Sequence, residues 1–159
     1  MRYETEAEIT NVIESFENCT ISREAWKHAE HLTVALHYAI NHNYTTAYDK
    51  MKSGIFRLLD SFGVDLSKEM PYHETLTVFW LKTVFEFVEA KKDEAMLKTT
   101  NELIEKFDKD YPFKFYTREF LFSPEARANF VKPDIKIILN QSDLVEVVAE
   151  IKQVICVNG

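Results

Sequence analysis

Apolar residues recur three and four positions apart over most of the chain, the spacing of one face of an α-helix. Residues 4–17 carry Ile9, Val12, Ile13 and Phe16 in this register, with Glu and Asn between them, and predict a first helix. A short non-periodic link over 18–22 ends on Ser22, a suitable N-cap for a second helix reaching Asn41. Thr45 is placed to cap a third helix with Ala47, Met51, Ile55, Leu58, Leu59 and Phe62 inward, and Gly63 suits its end. After a loop over 64–72 containing Pro71, a fourth helix turns Leu76, Phe79, Trp80, Val84, Phe87 and Val88 inward. A charged link over 91–94 leads to a fifth helix with Met96, Leu97, Leu103, Ile104 and Phe107, stopped by Tyr111-Pro112. The aromatic stretch 113–122 reads as irregular or briefly helical, and Ser123-Pro124-Glu125 reads as a short helix start.

The tail follows a weaker pattern. Residues 135–139 suit a short extended piece, and Ser142 is placed to cap a last helix with Leu144, Val147, Val148, Ile151 and Ile155 inward. Their β-branched content keeps a strand pair open as the alternative. The expected fold class is all-α: a single compact bundle of five to seven helices, with the tail helical or short β. Residues 1–139 form the helical domain, and 140–159 are expected to pack on that domain or on the partner in a homodimer.

Composition agrees with long helices joined by few turns. The 159 residues include only 3 Gly and 4 Pro, too few for nucleotide-cradling loops or a many-turned β-sandwich. The net charge of −7 repels phosphate backbones, which sets nucleic acid aside as a partner. The apolar run over 76–88 is too short to cross a membrane and is interrupted by Lys82 and Glu86, so no membrane partner is expected. The acidic N-terminus lacks the apolar run of a signal peptide. Cys19 and Cys156 make no disulfide framework or zinc-ribbon spacing, and a cytoplasmic protein with reduced thiols is expected.

Chemistry concentrates in two segments. The first is Glu24-Ala-Trp-Lys-His-Ala-Glu-His31. Within a helix over 22–41, Glu24, His28 and His31 share one face, which continues through Leu32, Ala35 and Ala39. The small alanines leave room beside the imidazoles. The second segment is Tyr72-His-Glu-Thr75, where extending the fourth helix backwards places His73 on the inward side. Imidazoles and carboxylates from two places then converge. His28, His31 and His73 are candidate metal ligands, and Glu24 or Glu74 is a candidate fourth ligand or general base. Three histidines suit zinc or copper; two with a carboxylate suit non-haem iron. The same residues also fit a metal-free polar pocket, or a structural network in which each His is satisfied by a Glu, a Tyr or a backbone carbonyl. Trp26 and Trp80 are candidate walls of a substrate pocket or plain core. Arg118 is a candidate clamp for a substrate carboxylate or a partner in an interhelical salt bridge. Cys19 has no flanking base and no Ser lies in a nucleophile elbow.

At these residues the chain resembles a family of small bacterial proteins of unassigned function. The stretches that carry the resemblance are Phe16-Glu-Asn-Cys-Thr-Ile21, Trp26-Lys-His-Ala-Glu-His-Leu32 with Val34-Ala35, Tyr72-His-Glu-Thr-Leu-Thr-Val-Phe-Trp-Leu81, and Leu121-Phe-Ser-Pro-Glu-Ala-Arg127 with Pro133-Asp134. It spans about residues 16–134 and implies His28, His31, His73 and Glu74 as motif positions. It brings no reaction with it. Lys27 stands where the family pattern has Thr. Two functions are therefore expected as alternatives. One is a metal-dependent enzyme, oxygenase-like or hydrolase-like, acting on a small organic molecule in an aromatic pocket. The other is a non-enzymatic small-molecule-binding or interaction protein with a metal-free histidine pocket.

Overall fold

Thr5 opens the first helix with a reciprocal cap: its Oγ1 accepts from Glu8 N at 3.3 Å, and the Glu8 carboxylate accepts from Thr5 N at 2.8 Å. The computed structural model describes residues 3–91 and 93–135. Among these, seven α-helices and one 3-10 turn form the fold, with no strand. They are α1 (Glu6–Glu17), α2 (His28–Asn41), α3 (Tyr44–Ser61), α4 (Glu74–Glu89), α5 (Met96–Lys106), the 3-10 turn (Tyr111–Lys114), α6 (Arg118–Leu121) and α7 (Pro124–Ala128). The all-α expectation holds for the described residues. The expectations for the tail over 140–159 and for the boundary at 139 lie outside them.

Helix α2 is the hub. It packs against α1, α3, α4 and α5. Leu32, Thr33, Val34, Ala35 and Leu36 are all buried, so the helix is enclosed on every side rather than along one stripe. Its start differs from the sequence expectation. Ser22 does cap a turn, accepting from Ala25 N at 3.2 Å, but that turn is not continued. Lys27 adopts an extended backbone and serves as the N-cap of a helix that begins only at His28. The Glu30 carboxylate accepts from Lys27 N at 3.1 Å and so fixes the later start. Helix α3 also starts on a different cap: Asn43, not Thr45, accepts from Thr46 N at 2.9 Å. Gly63 ends α3 as expected. Its φ of +70° permits bonds from Gly63 N to Asp60 O and from Val64 N to Leu59 O. Ser123 caps α7 with Pro124 in its first turn.

Two close approaches set the frame around α2. Gly54 on α3 lets the fully buried Phe16 ring of α1 come in. A Cβ at position 54 would lie 2.5 Å from Phe16 Cζ. At the other end, the segment after α7 is fastened beside the start of α4. Thr75 Oγ1 donates to Asn129 O at 2.9 Å and accepts from Val131 N at 3.1 Å, and the Asp134 carboxylate accepts from Thr117 N and Oγ1 at 2.8 and 2.5 Å. No helix of the described residues is long and apolar enough to cross a membrane.

Candidate functional site

The first turn of α2, the first two turns of α4, the middle of α3 and the loop before α4 enclose a cavity of about 400 Å³. That is large enough for a small organic molecule. His28, His31 and His73 all line it, and so do Trp26 and Trp80. The two histidine-bearing segments therefore come together, as their inward spacing suggests. Ala35 lines the cavity too, in the place where a small side chain leaves space.

The three imidazoles are held differently. His28 Nε2 donates to Phe107 O at 2.8 Å, and its ring lies 4.7 Å from the Trp80 ring. His31 Nδ1 donates to Lys27 O at 2.8 Å, and its ring lies 4.0 Å from Trp26, which is itself stacked 4.7 Å from Phe16. A carbonyl only accepts, so each bond fixes the tautomer of a neutral ring. The opposite nitrogens, His28 Nδ1 and His31 Nε2, keep a lone pair and have no hydrogen-bond partner among the described residues. No buried side-chain nitrogen or oxygen there is left without a partner. Both nitrogens therefore keep some accessible surface, and both residues line the cavity. Burial pulls the His31 pKa down to about 4; the carbonyl bond opposes this and the His28 charge adds to it. His31 is thus neutral near pH 7.

His73 is different in kind. It is the N-cap of α4 and is buried, not a member of the helix. Its Nδ1 accepts from Leu76 N at 3.2 Å and its Nε2 donates to Leu121 O at 2.7 Å. Both ring nitrogens are used. Burial lowers its pKa, with the Leu121 carbonyl opposing, so it too is held neutral. A His is a good joint here because it accepts from a helix N-terminus on one side and donates to a remote carbonyl on the other.

The two candidate carboxylates lie elsewhere. Glu24 is exposed in the turn before α2 and does not share a face with His28, because the helix starts four residues after it. Glu74, in the first turn of α4, is buried outside the cavity lining. It accepts from the Tyr48 hydroxyl, from the Tyr72 hydroxyl at 2.5 Å and from Lys52 Nζ at 3.1 Å. Burial pushes its carboxyl up, but the two hydroxyls and the ammonium outweigh that and hold it below the usual range. Glu74 reaches the cavity only through Tyr72, whose ring lines it. Arg118 lies outside the lining as well, with its guanidinium 4.2 Å over the Phe113 ring.

A divalent metal fits this donor set poorly. Among the described residues no group of three His, Cys, Asp or Glu side chains is placed to hold a metal ion. With both His73 nitrogens engaged, His28 and His31 offer two nitrogens, one short of the three protein ligands that open zinc sites use. Sequence reasoning did not identify Tyr72, Lys27 and Lys109 as cavity residues. A backbone carbonyl is one of the partners the sequence reading allows each imidazole, but nothing in the sequence singles out those of Phe107 and Lys27. Backbone groups carry no sequence signal, and Lys109 reaches the site from a segment remote in sequence. Compared with protein-family models, with curated proteins and with solved structures, the chain finds no match in any of the three.

Proposed function

We propose that the chain binds a small, largely apolar organic molecule in the cavity between α2, α3 and α4, with His28 and His31 as its polar contacts and without a protein-held metal. One observation carries this reading: two imidazoles, each with one nitrogen bonded to a carbonyl and the other without a partner among the described residues, line one cavity walled by both tryptophans of the chain. Pockets for small molecules have this form, apolar walls with a few placed polar groups. A neutral imidazole is also in the protonation state that a general base needs, so His31 is the group that would take a proton from a bound molecule if binding leads to reaction. The family-like motifs around His28, His31 and His73 are consistent with a shared pocket of this kind.

The test uses the full chain. Metal content is measured after purification and after exposure to zinc, iron and copper, and a panel of small aromatic molecules is titrated while tryptophan fluorescence is followed. The reading expects no stoichiometric metal and a fluorescence change with at least some of the panel. Stoichiometric metal that His28→Ala and His31→Ala each abolish would overturn it in favour of a metal-dependent enzyme.

A further inference from the structure

We propose that the molecule this cavity takes is a phenol, a flat aromatic ring carrying one hydroxyl or two adjacent ones. The inference rests on the binding reading above and names its ligand class. The polar groups decide it first. A neutral His28 ring gives its only N–H to Phe107 O and a neutral His31 ring gives its own to Lys27 O, so the nitrogen that each cavity-lining ring leaves unbonded is an acceptor. A carboxylate, phosphate or ketone would place its own lone pairs against those of the imidazoles. The guest must bring hydrogen-bond donors. The two acceptors are three residues apart on one helix, so they are neighbours on its surface, and a ring with one hydroxyl meets one of them while a second, adjacent hydroxyl adds another donor.

The walls decide the rest. Trp26, Trp80 and Tyr72 present aromatic surface, and Met51 and Ile55 present aliphatic surface. Such walls favour a flat ring over a sugar or a peptide. Amines also donate, and aromatic walls attract cations. No Asp or Glu lines this cavity, however, so an ammonium would be desolvated there without a counter-ion. Lys27 and Lys109 are the charged lining residues, both exposed at the rim. Asp110 pairs with Lys109 at 3.1 Å, while Lys27 has no ion pair among the described residues. The rim therefore repels a cation and accommodates a weak acid. Acceptor nitrogens, aromatic walls and a cationic rim together select a hydroxyl on an aromatic ring.

The chain's two tryptophans both line the cavity, so their fluorescence reports on its occupancy. Full-length protein is titrated with catechol, with its dimethyl ether, with benzylamine and with benzoate, in the presence of a chelator and under argon. Catechol is expected to bind about tenfold or more tightly than the ether, which keeps the ring but loses both donors. Benzylamine and benzoate are expected to bind more weakly than catechol. His31→Phe keeps a ring against Trp26 and removes one acceptor, and it should bring catechol and ether closer together; His28→Phe gives the same readout should the first variant not fold. Equal binding of catechol and ether, or tighter binding of the amine or the acid, overturns the phenol assignment and leaves the cavity reading standing. A fluorescence response to none of the four probes overturns both.

Discussion

Two histidine-bearing segments meet at one cavity and use the same side chain in opposite ways. At the start of α2, His28 and His31 each spend one nitrogen on a backbone carbonyl and keep the other free. At the start of α4, His73 spends both, one on its own helix terminus and one on Leu121 O. The difference follows from where each helix begins. His28 is already inside α2, whose cap is Lys27, so its ring is not needed for capping. His73 is itself the cap of α4. A histidine that lines a cavity is therefore a binding group only if its second nitrogen has no work to do in the fold.

The largest expected effect breaks the fold side of this comparison. His73→Ala removes an N-cap, which costs about 0.5–2 kcal/mol, and leaves a buried carbonyl at Leu121 unpaired, which costs about 1–3 kcal/mol. Urea denaturation should show a loss of about 2–4 kcal/mol. His73→Asn should recover part of it by restoring the cap. His31→Phe removes one net hydrogen bond and should lose only about 0.5–1.5 kcal/mol. Equal losses for His73→Ala and His31→Phe would erase the distinction between the two segments.

Next in size is Gly54→Ala, which acts on the α2 side through packing. The new Cβ would sit 2.5 Å from Phe16 Cζ, and Phe16 is fully buried between α3 and the Trp26–His31 stack. Overpacking of this kind costs about 1–3 kcal/mol. Because the displaced ring presses on Trp26, the tryptophan emission of the folded protein should shift as well. An unchanged spectrum with a large stability loss would show that the Phe16–Trp26–His31 column does not transmit strain to the cavity.

How much of this was legible beforehand depends on which physical signal each residue carries. The helices were readable because apolar spacing is a local signal: Ile9, Ile13 and Phe16 in α1 or Met51, Ile55 and Leu58 in α3 are buried as their spacing requires. The convergence of His28, His31 and His73 was readable for the same reason. The roles of Glu24 and Glu74 were not. Ser22 has the chemistry of a helix cap, which places Glu24 on the His28 face, and it does cap a turn. The helix is decided instead by Glu30 reaching back to Lys27 N. Glu74 pairs with Tyr48, Lys52 and Tyr72, and two of those come from α3, a contact that no pattern within residues 72–81 encodes. The exhaustion of both His73 nitrogens needed the position of Leu121 O, which depends on how the segment after the 3-10 turn folds back.

Acid tests the comparison at a smaller scale. The folded-state pKa of His31 is about 4 against an ordinary 6.5, so between those values the unfolded chain binds more protons at this site than the native one. Stability then rises with pH across that window and is lost as pH falls from 6.5 toward 4. His73 is shifted in the same direction. His31→Phe should therefore melt with a shallower pH dependence between pH 4 and 6.5 than the parent, while His73 still contributes. Superimposable pH–melting curves for parent and variant would mean that the His31 ring takes up a proton in the folded state as easily as in water.

The smallest expected effect concerns how the two segments are tied together across the cavity. Arg23 Nη2 lies 3.1 Å from Glu69 Oε1, and this pair joins the turn before Trp26 to the loop before Pro71 and Tyr72. The side chains are 55% and 50% exposed, so water screens the pair and its worth to stability is about 0–1 kcal/mol. Arg23→Ala should hardly move the melting temperature. The pair links two cavity-lining stretches 46 residues apart in sequence, so its effect should appear in ligand kinetics instead. Dissociation of a bound aromatic molecule should be faster in the variant. In the parent, raising the ionic strength should speed dissociation, because salt screens exposed charges beyond about 8–10 Å and weakens such pairs. In Arg23→Ala the same salt should have little effect. Stopped-flow tryptophan fluorescence measures both rates, and equal salt dependence in the two proteins would show that the Arg23–Glu69 pair does not hold the two sides of the cavity together.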